Sequence, residues 1–374
     1  MWKRCAIIVM VTVCLLLPLS VSAAGPTSLS SRSAVLYEPT SGRFLYEKQA
    51  DVCLPMASTT KLMTALVAAE FLPFDRVVTV PPEAVLVEGS SMGLRGGDTL
   101  SVRDLMAGLL LASGNDAANV LALLSCGSLT AFAEQMNRKA DELGMKNTIF
   151  VTPSGLDEGD HHSTARDMAL LGAAVLKHPS LAALCASRSV TIQKNDQTVE
   201  LYNHNRLLNL YPDAIGLKTG YTQKSGKCLV SAARRNGVTL VAVTLNGGDY
   251  WNDHIALYEY GFSVTSSVTP TPPALTPLAV AGGEKAVVDL KTTTPALTVL
   301  LDNERVSCRV ELPSFVWAPV AQGDVVGTVT YVVGDRVIEK QNITAAESVS
   351  ARPPQTIVKK WAKAWKRLLA EWLR

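Results

Sequence analysis

Apolar and polar positions divide this chain into stretches of different rhythm. From Cys5 to Leu19 apolar residues run almost unbroken, between Met1-Trp2-Lys3-Arg4 and the small residues Ser20-Val21-Ser22-Ala23-Ala24-Gly25. A basic start, an apolar run too short for a good bilayer span and a small-residue end predict a secretory leader over residues 1–24, cleaved after Ala23 or Ala24. Cys14, preceded by Thr12-Val13 inside the run, is poorly placed for lipid attachment. Strand-like runs then flank Pro39-Thr40-Ser41-Gly42, Ser33–Tyr37 before it and Phe44–Tyr46 after it, which predicts a hairpin. A proline at 55 precedes an amphipathic helix expected to open at Ser58 and to end near Phe71. Past Pro81-Pro82, Ser101 and Asp104 mark the start of a second helix, whose Leu105–Ala112 portion is apolar on nearly every side and should lie deep in the core. Ser113-Gly114-Asn115 interrupts it, and a third helix is expected from Asp116.

The pattern continues with an amphipathic helix over Phe132–Leu143 and a turn-rich loop over Thr152–Leu156. Ala214–Tyr221 reads as a strand ending in a polar tip, and two apolar strands flank Asn236-Gly237, the strongest short hairpin signal. A closing helix over about Tyr250–Phe262 precedes Val268-Thr269-Pro270-Thr271-Pro272-Pro273, a linker by composition. Beyond it, short valine-rich strands without helices predict a small all-β module. Last, Ile357, Val358, Trp361, Trp365, Leu368, Leu369, Trp372 and Leu373 recur at helical spacing. The expected division is therefore a leader over 1–24, a main domain over 25–264, a β module over 265–352 and an amphipathic helix over 353–374.

Composition supports a folded chain with a real core: of 374 residues, 48% are hydrophobic and 18% charged. The net charge of +2 hides an asymmetry. The final helix carries six basic residues (Lys359, Lys360, Lys363, Lys366, Arg367, Arg374) against Glu371, a net +5, which leaves about −5 for the body once the leader is removed. A tryptophan-rich stripe backed by basic residues suits a helix lying in an anionic membrane surface over Ile357–Arg374, with Pro353-Pro354 as a hinge; the competing reading docks the same stripe on the protein's own core. Nothing points to nucleic acid. Five cysteines remain after the leader, an odd number without a C-x-x-C, which fits buried free thiols better than a disulfide framework or a zinc site.

Candidate chemistry begins with Ser58 and Lys61, three residues apart and so on one helix face. A lysine amine whose pKa burial has lowered can take a proton from a serine hydroxyl, and a helix N-terminus offers N–H groups to an oxyanion. The plainer alternative makes Ser58 an N-cap and Lys61 a solvated side chain. Ser113-Gly114-Asn115 is either a polar loop aimed at the same cleft or ordinary turn chemistry, with Asn115 or Asp116 capping the next helix. His161-His162 stands near acids, but adjacent positions point to opposite sides of an extended chain, so no metal site is expected.

Ser58-Thr59-Thr60-Lys61, Ser113-Gly114-Asn115 and Lys218-Thr219-Gly220 occur in the order Ser-x-x-Lys, Ser-x-Asn, Lys-Thr-Gly of the penicillin-recognising serine enzymes. With the segments around Leu54–Leu66, Ser163–Met168, Asn205–Leu208 and Gly216–Tyr221, the small C-terminal module and the terminal helix, the chain resembles the serine-type D-alanyl-D-alanine carboxypeptidases among the low-molecular-mass penicillin-binding proteins. The resemblance implies an α/β (α+β) fold of the β-lactamase/D,D-peptidase kind, an antiparallel sheet flanked by helices. It implies removal of the terminal D-alanine from peptidoglycan stem peptides through an acyl-enzyme, without cofactor or metal, at the outer face of the bacterial cytoplasmic membrane, and inhibition by β-lactam antibiotics. Ser58 would be the nucleophile, Lys61 its general base and Ser113 a proton relay, with Asn115 orienting Lys61 and the substrate amide. Lys218 and Thr219 would hold the substrate carboxylate within the Lys218-Thr219-Gly220 motif, and the backbone N–H groups of Ser58 and Tyr221 would form the oxyanion hole. Tyr221 departs from relatives that carry histidine there. No Glu-x-x-Leu-Asn, the deacylating signature of many β-lactamases, occurs between Ser113 and Lys218, which implies slow deacylation of a bound β-lactam. D,D-endopeptidase action on cross-links and a catalytically idle wall-binding scaffold are the alternatives.

Overall fold

A computed structural model describes residues 25–353 and 357–373; the expected leader lies outside the described residues. The chain opens with the hairpin β1 (Ser33–Glu38) and β2 (Arg43–Lys48), followed by a 3-10 turn at Ala57–Thr60 and helix α1 (Lys61–Phe71). Short strands β3 (Val77–Thr79) and β4 (Thr99–Ser101) pair before α2 (Val102–Leu110), α3 (Asn115–Cys126), α4 (Leu129–Glu142), α5 (Ala165–Leu176) and α6 (Pro179–Ala186). A hairpin of β5 (Ser189–Lys194) and β6 (Gln197–Tyr202) and the short α7 (Leu207–Leu210) lead to β7 (Ala214–Thr222), β8 (Gly226–Arg235), β9 (Val238–Gly247) and α8 (Tyr250–Val264).

The main sheet has the order β2-β1-β9-β8-β7 and is antiparallel throughout. Both faces are covered, which explains why its strands read as unbroken apolar runs. On β1, Val35 and Tyr37 join the core under α1, α2, α3 and α5, whereas Ala34 and Leu36 join the opposite core with Leu257 and Tyr258 of α8. Asn236 and Gly237 make the β8–β9 turn with positive φ at both positions, the conformation that asparagine and glycine tolerate best.

The structure corrects several expectations. The helix at Ser58 is not a single amphipathic helix: Ser58 sits in a 3-10 turn, and α1 is buried almost all round from Lys61 to Ala65. The Lys218-Thr219-Gly220 motif is in the middle of β7, not at its tip, and β7 forms an edge of the sheet. The third helix starts at Asn115, one residue early, and neither Asn115 nor Asp116 serves as its cap, because Gly114 occupies that position. Helices α5 and α6 and the β5–β6 hairpin have no counterpart in the sequence reading. α5 is buried on most sides, so it shows little of the one-sided periodicity by which a helix is recognised.

After α8 come β10 (Thr265–Val268), β11 (Leu278–Ala281), β12 (Val287–Val288), β13 (Leu290–Lys291), β14 (Thr298–Leu301), β15 (Val306–Glu311), β16 (Val316–Trp317), β17 (Val325–Val333) and β18 (Arg336–Ala345). Sheets β12-β11-β16 and β13-β18-β17-β15 enclose a small core around Val280, Val288, Val320 and Val349. β14 pairs with β10 and inserts Val299 into the core beneath α8, so the module is packed on the main domain and not merely strung from it. The final helix, α9 (Ile357–Trp372), keeps residues 361–373 exposed, so Trp361, Trp365, Leu368, Leu369, Trp372 and Leu373 are not docked on the body.

Candidate active site

The site is built where the 3-10 turn before α1 meets the edge strand β7. Ala57 has φ of +48°, a left-handed conformation unusual for a residue with a side chain, immediately before Ser58. The turn is held from below: Thr59 Oγ1 donates to the Met56 carbonyl at 2.6 Å, and Thr64 Oγ1 donates to the Pro153 carbonyl at 2.6 Å. Gly155, with φ of +85°, packs so closely that a Cβ there would lie 2.0 Å from the Ala57 carbonyl oxygen. Ser58 itself is half-buried and opens to the cleft.

Lys61 is fully buried, and its Nζ lies 2.9 Å from Ser58 Oγ, 2.7 Å from Asn115 Oδ1 and 2.6 Å from the Ser154 carbonyl oxygen. The last two partners only accept, because Asn115 Nδ2 is engaged in donating to the Glu88 carbonyl at 2.7 Å. A neutral amine has two N–H groups and one lone pair. Two donated bonds to Asn115 and Ser154 leave the lone pair facing the Ser58 hydroxyl. Burial, then repulsion from the Lys218 ammonium, holds the Lys61 pKa well below its usual value, with Asp116 opposing. Geometry and electrostatics thus agree on a lysine able to accept the serine proton.

Lys218 is also buried, donates from Nζ to its neighbour's Thr219 carbonyl at 2.9 Å, and is lowered to about 8, chiefly by burial. Burial thus works against the charged form at both lysines. A Cβ at Gly220 would lie 2.9 Å from the Met56 carbonyl oxygen and 3.0 Å from the Ser58 nitrogen, so glycine is what lets β7 run against the Ser58 turn. Thr219 is half-buried and Tyr221 is exposed, its ring in open solvent.

Ser113 is buried at the end of α2 with φ of +59°, and no hydrogen bond of its hydroxyl is among those the structure describes. Hydrogen bonds thus join Ser58, Lys61 and Asn115 directly and Lys218 acts on Lys61 through its charge, while Ser113 lies two residues before Asn115 in the turn between α2 and α3, with no described hydrogen bond to the others. Asp116, which does not cap its helix, turns its carboxylate to accept from Met92 N, Leu94 N and Ser91 Oγ, which pins the 88–94 loop beside the site.

Sequence reasoning missed the loop over residues 150–163 as a site element. His161 is buried there; Nδ1 accepts from Val151 N at 2.9 Å, so Nε2 carries the proton and donates to Thr60 Oγ1 at 2.9 Å. Burial lowers its pKa to about 4. The paired histidines therefore part company, His161 into the Ala57–Thr60 turn and His162 toward Asp160. The signal available in the sequence was the turn-former cluster Thr152–Gly155, but nothing local tells that Ser154 supplies a carbonyl to Lys61.

Comparison with known proteins agrees with this geometry. The family described as D-alanyl-D-alanine carboxypeptidase matches residues 20–249, and the C-terminal domain of penicillin-binding protein 5 matches residues 273–351. Among curated proteins, the chain is 30% identical over 350 residues to D-alanyl-D-alanine carboxypeptidase DacF of Bacillus subtilis, covering 90% of each chain. It is 35% identical to D-alanyl-D-alanine carboxypeptidase DacC of Escherichia coli, covering 86% of this chain and 85% of that one. Penicillin binding protein 5 of Haemophilus influenzae superposes with a TM-score of 0.67 at 28% identity, over 87% of this chain and 99% of that structure. With its Ser58 turn, its paired buried lysines and these matches over both lobes, the chain belongs to the D-alanyl-D-alanine carboxypeptidase family.

Proposed function

We propose that this cleft hydrolyses the terminal D-Ala-D-Ala bond of peptidoglycan stem peptides with Ser58 as nucleophile and Lys61 as general base. The protein is a serine-type peptidase of the penicillin-binding class, and the observation that supports the residue roles is the buried Lys61, its Nζ 2.9 Å from Ser58 Oγ and its pKa held well below the usual value by burial. Lys61 takes the Ser58 proton as Oγ adds to the carbonyl carbon, and the oxyanion forms against the N–H groups of Ser58 and Tyr221. Collapse expels D-alanine, whose nitrogen takes a proton through Ser113. Water then attacks the Ser58 ester, with Lys61 again accepting the proton, and the shortened peptide leaves. Asn115 holds Lys61, and Lys218 with Thr219 binds the terminal carboxylate, a pairing that only a still-protonated lysine can make. The free edge of β7 suits a peptide added as a further strand.

A penicillin acylates Ser58 by the same first step, and the missing Glu-x-x-Leu-Asn leaves that ester long-lived. Incubation with a peptide ending in D-Ala-D-Ala tests the reading: free D-alanine should appear with wild type and vanish with Ser58→Ala. A scaffold releases none from either, and an endopeptidase releases cross-linked strands faster than D-alanine.

The reading extends to the whole chain: a leader over 1–24, a catalytic domain over 25–264, a β module over 265–352 as spacer, and an anchor over 353–374 that lays Ile357–Arg374 on the anionic outer face of the cytoplasmic membrane. Its support is the exposure of Trp361, Trp365, Leu368, Leu369 and Trp372 on one side of α9. Deleting residues 357–374 should move the protein from the membrane fraction to the soluble one with D-alanine release intact; continued membrane association contradicts the anchor.

A further inference from the structure

The sheet β12-β11-β16 of the small module has an inner face that packs the module's core and an outer face whose larger side chains stay exposed among the described residues. Register explains the division. Leu278 pairs with Val288 and Val280 with Val316, all directed inward, while Ala279 pairs with Val287 and Ala281 with Trp317 on the other side. Phe315, two residues before Trp317, joins them, and the two rings meet edge to face at 5.3 Å. Trp317 is 72% exposed, Val287 46% and Phe315 44%. A continuous apolar sheet face led by two aromatic rings is uncommon on a soluble surface and marks a place of contact.

Its position says what it contacts. Trp317 lies beside Ala281; the Ala318 N–H donates to the Ala281 carbonyl, and the Arg352 N–H donates to the next carbonyl, that of Gly282, at 2.8 Å. Ala351 bridges to Gly283. The chain thus leaves the module along the edge of this same sheet, and five residue steps separate Arg352 from Ile357, the start of α9. At full extension that is about 17 Å. The tryptophan stripe of α9 and the Phe315–Trp317 face are therefore tied together by a tether shorter than half a bilayer with its headgroups.

We propose that the outer face of the β12-β11-β16 sheet, with Phe315 and Trp317 as its anchors, is a second lipid-contact surface that settles into the headgroup region of the anionic bilayer bound by α9. The inference rests on the anchor reading above and deepens it. Tryptophan and phenylalanine suit this depth, because their rings fill the boundary between acyl chains and water. The basic side of α9 supplies the charge attraction, and the sheet face, whose near neighbours Lys285 and Glu347 are paired with each other, supplies apolar contact. Two attachment points in place of one fix the module's orientation on the membrane and stop the catalytic domain from turning freely about its tether.

The test uses the purified chain over residues 25–374 and vesicles of phosphatidylglycerol and phosphatidylcholine, read by co-sedimentation. Phe315→Ser with Trp317→Ser should lower vesicle partition about ten-fold, with D-alanine release from a soluble peptide unchanged as proof of folding. In a chain where Trp251, Trp361, Trp365 and Trp372 are phenylalanine, the fluorescence of Trp317 should be quenched by brominated lipid. Unchanged partition with an unquenched Trp317 overturns the proposal. So does a dimer in sedimentation velocity that the double substitution dissolves without altering lipid binding, which would make the face a contact between copies. Removal of residues 357–374 separates the two readings: if partition survives the deletion undiminished, the anchor reading fails, and the double substitution in the shortened chain then decides the sheet face alone.

Discussion

At the scale of residues, the proposed mechanism asks opposite things of two buried lysines: Lys61 must act without its proton and Lys218 with one. The rate of the free enzyme with dilute substrate, kcat/KM, should therefore rise with pH as Lys61 deprotonates, then fall on an alkaline limb near 8 as Lys218 loses its proton. Lys218→Arg keeps its charge to much higher pH and should remove that alkaline limb while raising KM, because the guanidinium does not fit the space of an ammonium; a limb left at the same pH assigns it to another group. Ser58 and Lys61 were legible from the sequence because their chemistry needs a fixed short spacing. The fourth partner was not: the Ser154 carbonyl is a backbone atom 93 positions away, and any residue at that place supplies one.

Elements carry the next level of constraint. Strand β7 approaches the Ser58 turn only because position 220 has no side chain, so Gly220→Ala should push β7 away from Ser58 and lower the penicillin acylation rate at least ten-fold, with melting temperature far less affected. Acylation at the wild-type rate would show that the contact is slack. The 150–163 loop is held to the turn by neutral His161. Its folded pKa of about 4 lies below the unfolded value of 6.5, so the unfolded chain binds more protons between the two. The stability this residue confers is whole above pH 6.5 and is lost as pH falls towards 4, on the order of 3 kcal/mol for such a shift. Denaturant midpoints across that window should fall more steeply for wild type than for His161→Gln. The elements themselves were legible where one face is wet, as in α4, or where a turn is spelled out, as at Asn236-Gly237. Those buried on all sides, α5 above all, and the mid-strand position of Lys218 were not, because a run of apolar residues carries no phase.

On the scale of the whole molecule, the two lobes are joined by packing more than by charge. The Arg43–Glu304 ion pair at 2.7 Å is partly solvated and contributes less than about 1 kcal/mol. Val299 of β14 is fully buried in the core beneath α8. Val299→Ala should therefore destabilise the catalytic lobe by about 2 kcal/mol, seen in the unfolding midpoint, whereas Arg43→Ala should hardly move it. Equal effects would mean that the interface is electrostatic. The composition break at Val268–Pro273 made a second lobe legible, but not the return of β14 to the first, since its register is set by contacts thirty residues away. The most direct measurement is mass spectrometry of the chain after exposure to a penicillin. The account predicts a single adduct on the peptide containing Ser58, absent in Ser58→Ala; an adduct on another residue, or none, contradicts it.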